Sequence, residues 1–347
     1  MISVATRPFG KTTEGAEVTL FTLRNQCGAY VELMNYGCAI RSIVVPDKNG
    51  KKMDVCLGYD TLREYEENDG YLGAVVGRHA NRIEKGRFDL NGTAYSLACN
   101  NGPNHLHGGA RGFDRHVWHA EILPDGICFS RLSPDGEEGY PGNLQVQVAY
   151  RWSKENGLTL EYTAQCDRDT LVNLTNHCYF NLNGGGSVLK HMLTVHAQQF
   201  LENDAFCLPT GKFCDVVSHA AMDFRRAKPI GRDILQNDCN LRNARGYDHN
   251  YVLFPNEKKE AAVLYSADSG IQLRILTDQP GLQVYSGNFL TERIGKNGCI
   301  YRERDAVCLE TQKFPNALAC GFKPAPILRA GERLQTITTY QFSVRRE

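Results

Sequence analysis

Two neighbouring runs constrain the fold most. Leu144, Val146, Val148, Tyr150 and Trp152 alternate strictly with polar residues. After a turn at Glu155-Asn156-Gly157, Leu158, Leu160, Tyr162 and Ala164 alternate again. A period of two places every second side chain on one face, so each run reads as a half-buried strand and the pair as a hairpin. The pattern recurs. Phe88 to Leu97 folds back at Asn91-Gly92, the strongest short hairpin signal. Ala262–Ser266 and Ile271–Thr277 flank a turn at 267–270, and Thr338, Tyr340, Phe342 and Val344 form a last strand. Helical patterns are few and short, Thr61 to Glu67 being the best. With no linker, repeat or low-complexity tract, the expectation is one all-β domain over residues 1–347.

Composition narrows the partners. Lys+Arg and Asp+Glu both number 39, giving zero formal net charge. That gives no support to nucleic acid or an anionic membrane as partner and suits a neutral polar small molecule. No stretch approaches the ~20 apolar residues of a membrane span. The 13 cysteines are odd in number and form no CxxC pair. Cys38, Cys56, Cys128 and Cys308 lie in apolar runs, where cysteine behaves as a small hydrophobe. A reduced, cytoplasmic protein with free thiols is expected.

Five polar islands interrupt the alternation. The segment Val172 to Leu182 is expected to be a strand, yet it carries Asn173, Asn176, His177, Tyr179 and Asn181 among large apolar residues. A buried polar group without a partner costs about 1–3 kcal/mol. This segment is therefore either a satisfied polar network or the floor of a polar site. The other islands are Gly77 to Gly86, holding Asn81 and Arg82; Asn104 to Gly109 followed by Gly112-Phe-Asp114; Gly246 to His249, holding Asp248; and Leu309-Glu-Thr-Gln312, preceded by Gln283 to Asn288. Arg82 alone reads as half of an ion pair, and His177 alone as an interior histidine. Glu310 is harder to dismiss, because a carboxylate inside an apolar strand needs a partner or a purpose. His105 and His107 share a face of a strand, the arrangement of a metal pair, but no third ligand lies near them in sequence. Together the islands supply acid/base groups and hydroxyl-binding groups. No nucleophile elbow, GxGxxG or P-loop is present.

These islands, in this order, resemble the aldose 1-epimerase (galactose mutarotase) family, and its animal members most. The resemblance runs through Gly77-Arg-His-Ala-Asn-Arg-Ile83, Asn104-His-Leu-His-Gly-Gly109, Asp135 to Gly142, Val172 to Leu182, Gly246-Tyr-Asp-His249, Gln283 to Phe289 and Leu309 to Gln312. It implies a large antiparallel β-sandwich (a supersandwich) and interconversion of the α and β anomers of galactose and glucose, without cofactor or metal. It implies Glu310 as general base and His177 as general acid. Asn81, Arg82, His107, Tyr179, Asp248 and Gln283 would contact the sugar. An ionised Glu310 beside an imidazolium His177 is the expected charge state. A monomer or weak dimer is expected. Rival readings are a glucose-6-phosphate 1-epimerase, a non-catalytic sugar-binding protein and a His105/His107 metal hydrolase.

Overall fold

The computed structural model describes residues 2–67, 69–253 and 260–345. Its strands form three principal sheets, and every strand-to-strand ladder is antiparallel. The largest has nine strands, in the order His119–Leu123, Gly126–Ser133, Leu144–Trp152, Gly157–Cys166, Arg333–Val344, Ile271–Thr277, Glu260–Tyr265, Met192–Val195 and Lys228–Pro229. The two expected central strands pair along their whole length, Leu144 opposite Cys166 through Trp152 opposite Leu158. Leu144, Val146, Val148, Tyr150 and Trp152 are almost fully buried. Each such side chain contributes about 1.5–3 kcal/mol by leaving water. That is why the alternation fixes which face is the core.

A five-stranded sheet from Ser3–Lys11 to Lys52–Asp54 adds Leu23, Val31, Leu33 and Ile43 to the same core. The six-stranded sheet runs Tyr179–Phe180, Val307–Gln312, Gly281–Tyr285, Asp248–Leu253, Ala197–Asn203 and Pro209–Asp215. One face carries Phe180, Val307, Leu309, Leu282, Val284 and Tyr251 into the core. Residues paired across a ladder share a face. The opposite face therefore bears Tyr179, Cys308, Tyr285 and Asp248 in one row and Glu310, Gln283 and Asn250 in the next.

The hairpin at Asn91-Gly92 forms with φ of 52° and 78°, as a tight turn of this kind requires. The short helix Leu62–Glu66 is held by a reciprocal capping box between Thr61 and Glu64. Among the described residues no helix is long and apolar enough to cross a membrane.

One expected strand is not a strand. Residues 172–182 yield only two-residue pieces, Thr175–Asn176 and Tyr179–Phe180, following Thr170–Leu171, and these three pair with three different partners. The asparagines explain the break. Asn173 Nδ2 donates to the carbonyls of Ala80 and Lys313, each at 3.3 Å, and its Oδ1 accepts from Lys313 N–H at 2.8 Å. Asn176 Nδ2 donates to Gly73 O at 2.7 Å, and Asn181 Nδ2 to Gly186 O and Asp305 O at 2.6 and 2.7 Å. Side-chain amides that bind the backbone compete with a continuous ladder. These three residues are structural; His177 and Tyr179 are left to face outward from the sheet.

Candidate active site

The polar face of the six-stranded sheet opens into a cleft of about 230 Å³ lined by Asn81, Arg82, His107, His177, Tyr179, Asp248 and Glu310, together with Tyr71, Tyr285 and Phe289. That volume falls below the roughly 300–1,000 Å³ of drug-sized pockets and suits a small polar molecule. Seven of the eight expected site residues therefore meet in one place. The eighth, Gln283, shares that face but does not line the cleft. It is 3% exposed, lies beside Glu310 in the ladder, and its Nε2 donates to Asp248 Oδ1 at 2.7 Å.

Each side chain is aimed by its element. Asp248 and Glu310 stand on the polar face through the period of two. His177 is anchored by its own backbone, its N–H donating to Ala74 O at 2.9 Å and its C=O accepting from Gly73 N–H at 3.0 Å. Asn81 and His107 adopt left-handed φ of 64° and 52°. Asparagine and histidine are enriched in that sparsely populated region. The turn bearing His107 is fixed from outside, because Glu138 accepts from the N–H groups of Ala110 and Arg111, each at 2.9 Å. Gly108 is required there: a Cβ would lie 1.8 Å from Gly77 O. The Asp135 to Gly142 motif thus supports the site without entering it.

His105 and His107 do not share a face. The left-handed turn at His107 separates them. His105 is used internally, Nδ1 to Ala98 O at 2.8 Å and Nε2 to Tyr140 Oη at 2.7 Å. Three other groups converge instead, since His107, His177 and Glu310 bring ligand-type atoms within 4.8 Å of one another. Their surroundings suit a sugar oxygen better than a metal ion. A ligating histidine donates its second ring N–H outward. His107 Nδ1 instead accepts from Asn81 N–H at 3.1 Å. That bond holds the neutral ring with its proton on Nε2, as a fixed donor. Burial and the neighbouring His177 and Arg82 push its pKa well below the ordinary value.

The electrostatics separate this site from an ion-pair network. Glu310 is 2% exposed, and its Oε2 has no hydrogen-bond partner. Its Oε1 lies 3.7 Å from His177 Nε2, beyond hydrogen-bond range. Burial, then the charge of Asp248, raises the Glu310 pKa well above the carboxylate range, against a smaller pull from Arg82. Burial lowers His177 to about 4. Both shifts run against the expected carboxylate–imidazolium pair. Desolvation opposes both charges, and at 3.7 Å the attraction does not recover the cost. Burial raises the one group and lowers the other, so both shifts oppose charge separation within the pair.

Arg82 is anchored by its neighbours. Its Nε donates to Asn101 Oδ1 at 3.1 Å, and its Nη1 lies 3.8 Å from Asp248 Oδ2. Sequence reasoning missed Tyr71, whose ring centroid lies 4.7 Å from that of His107 and 5.9 Å from that of His177. Tyr71 also has a φ of 56°, unusual for an aromatic residue. Nothing in its sequence context signals this. It missed Phe289 too, an aromatic rim residue stacked on Tyr285 at 6.3 Å.

A β-sandwich with an open cleft, a buried Glu/His pair 3.7 Å apart and fixed donors and acceptors around it defines an acid/base enzyme for a small polyhydroxylated ligand. Comparison with known proteins names the class. The aldose 1-epimerase family profile matches residues 19–341. The chain is 43% identical over 350 residues to galactose mutarotase from Sus scrofa, covering 99% of this chain and all of that protein. It is 36% identical to aldose 1-epimerase from Escherichia coli K12, over 95% of this chain and 96% of that one. The solved aldose epimerase homologue from C. elegans superposes with a TM-score of 0.87 at 31% identity, covering 94% of this chain and 99% of that one. The chain belongs to the aldose 1-epimerase family.

Proposed function

We propose that this enzyme interconverts the α and β anomers of free aldohexoses, galactose and glucose, with Glu310 and His177 as the proton-transfer pair and without cofactor or metal. The observation that carries the reading is the pair itself: two buried acid/base groups 3.7 Å apart that line one cleft, with Glu310 Oε2 lacking a hydrogen-bond partner.

Ring opening needs the C1 hydroxyl to lose a proton while the ring oxygen gains one. The pair enters the step charge-separated, one proton having passed from the carboxyl to the imidazole: Glu310 as carboxylate takes the first, and His177 as imidazolium supplies the second from Nε2–H. After opening, Glu310 is protonated and His177 neutral, the charge state burial favours. Rotation about C1–C2 presents the other carbonyl face. Reclosure then returns both protons. The cycle neither gains nor loses a proton; the desolvation cost of forming the charged pair is part of the barrier and is released as the ring opens. Each positioned acid or base contributes about 100- to 10,000-fold. His107 Nε2–H and the Arg82 guanidinium donate to sugar oxygens. Asp248, oriented by Gln283, accepts from hydroxyls, and Asn81 and Tyr179 complete the surround.

A phosphorylated hexose fits less well. A phosphate dianion wants uncommitted cations. The Arg82 charge already faces the Asp248 carboxylate at 3.8 Å, and Arg293 donates to Asp69 Oδ1 and Thr291 Oγ1, each at 2.7 Å. We further propose a single-domain, cytoplasmic protein acting as a monomer or weak dimer. Thirteen free thiols support the cytoplasmic reading, and a core drawing on residues from Phe21 to Phe342 supports the single domain.

The test is exchange NMR on equilibrated anomers. Cross-peaks between the α and β H1 signals of galactose and glucose should appear with catalytic amounts of protein and remain far weaker for glucose 6-phosphate. Faster exchange on the phosphate ester would reverse the substrate assignment. Tight sugar binding without exchange would make the protein a binder.

A further inference from the structure

The two cleft histidines are held by different kinds of partner. His107 Nδ1 faces a backbone N–H, which only donates, so its tautomer is locked. His177 Nδ1 faces the Cys308 sulfur at 3.5 Å. A thiol both donates and accepts. Cys308 occupies its place through strand register: two residues before Glu310, it shares that carboxyl's face and pairs with Tyr179 and Tyr285. It is fully buried.

We propose that Cys308 is a positioning residue for His177, turning Nε2 toward the cleft and accommodating both ring tautomers during the proton cycle. The inference rests on the anomer-exchange reading above. When His177 gives its Nε2 proton to the ring oxygen, the neutral ring keeps its proton on Nδ1, and that N–H points at the sulfur lone pair. In the other tautomer the S–H donates to Nδ1. The thiol stays protonated, because burial, Glu310 and Asp248 all raise its pKa. A carboxylate in this position would bind the Nδ1–H more strongly and make the imidazolium a weaker acid. Sulfur, a weak acceptor, leaves His177 ready to release its proton. The charged and titratable groups facing the assembly are Glu310, Asp248 and Arg82, with Tyr71, Tyr179, Tyr285 and His107 packed around the ring.

The experiment compares Cys308→Ala, Cys308→Val and Cys308→Ser with the parent enzyme by kinetics across pH and by ¹⁵N NMR of histidine-labelled protein. Loss of a weak hydrogen bond should lower kcat by about 3- to 10-fold in Ala and Val, with KM within about two-fold. Serine should restore turnover and shift the acid limb of the pH–rate profile upward, because oxygen accepts more strongly than sulfur. The His177 ¹⁵N shifts should move toward a different tautomer mixture in Ala and Val and back in Ser. Val keeps the volume filled, so a defect from packing alone would spare Val and leave the nitrogen shifts unmoved. Unchanged kcat, pH profile and ¹⁵N shifts in folded Ala and Val variants would overturn the proposal. If no variant, nor the parent, exchanges anomers, the functional reading fails, while the nitrogen shifts still decide whether Cys308 sets the ring.

Discussion

Glu137 and Glu310 are both drawn in from the surface and treated in opposite ways. Glu137 receives a two-pronged hydrogen bond from Arg131, at 2.9 and 2.7 Å, and a further one from Ser133 Oγ. Burial would raise its pKa, but those donors outweigh burial and hold it low. Glu310 is more deeply buried, has no comparable donor, and is raised. One carboxylate is satisfied and structural. The other lines a cleft with one oxygen left without a hydrogen-bond partner. Perturbed ionisation without structural compensation marks a functional group.

The strongest test of that contrast exchanges each carboxylate for its amide. Glu310→Gln should lose at least about 100-fold in turnover while still binding sugar. Its melting temperature should hold or rise at neutral pH, since a raised carboxyl pKa contributes stability at low pH that is lost as pH climbs through the raised value. His177→Asn should cost turnover comparably; an effect confined to KM would make His177 a binder. Glu137→Gln should do the reverse. It leaves Arg131 without its counter-charge, and stability should fall by about 1–2 kcal/mol, the lower part of the range for a charge-assisted bond because solvent screens the site. Turnover of the folded fraction should stay within a few-fold. A catalytic collapse in Glu137→Gln with normal stability would dissolve the contrast.

Acid should act on both regions at once. His105, His177, His191 and His249 are lowered by burial to about 4, and His79 to about 3. Their folded values lie below the free value of ~6.5. The stability they contribute is therefore complete above that value and lost as pH falls through the folded values. Denaturant midpoints should decline between about pH 6.5 and 4. Turnover should fall in the same direction as His177 takes a second proton and the pair loses its base. On the alkaline side it should fall only well above the ordinary carboxylate range, where Glu310 gives up its proton. The smallest expected effect is Gln283→Leu: removing the donor to Asp248 should raise KM about three- to ten-fold with kcat nearly unchanged.

The regular parts of the molecule were legible because one force decides them. In Leu144–Trp152 alternation alone says which face is buried, and the Asn91-Gly92 turn needs only local conformation. Glu310 was legible as an anomaly, a carboxylate between Leu309 and Thr311 in a buried strand. Where side chains bind distant backbone, local pattern failed. Asn173, Asn176 and Asn181 turned an apparent strand into linked fragments through partners up to 140 residues away. The His105/His107 pair failed because one left-handed residue redirects the chain. Cys308 read as a small hydrophobe because its imidazole partner lies 131 residues earlier. The protonation of the Glu/His pair depends on burial, which no spacing encodes.

The most direct measurement is polarimetry of freshly dissolved α-D-galactose with the parent protein and with Glu310→Gln, each against buffer. Rapid decay to the buffer's final rotation with the parent, reduced at least about 100-fold in the variant, is the predicted result. Equal decay rates for parent and folded variant would contradict the role of Glu310, and a parent no faster than buffer would contradict anomer exchange itself.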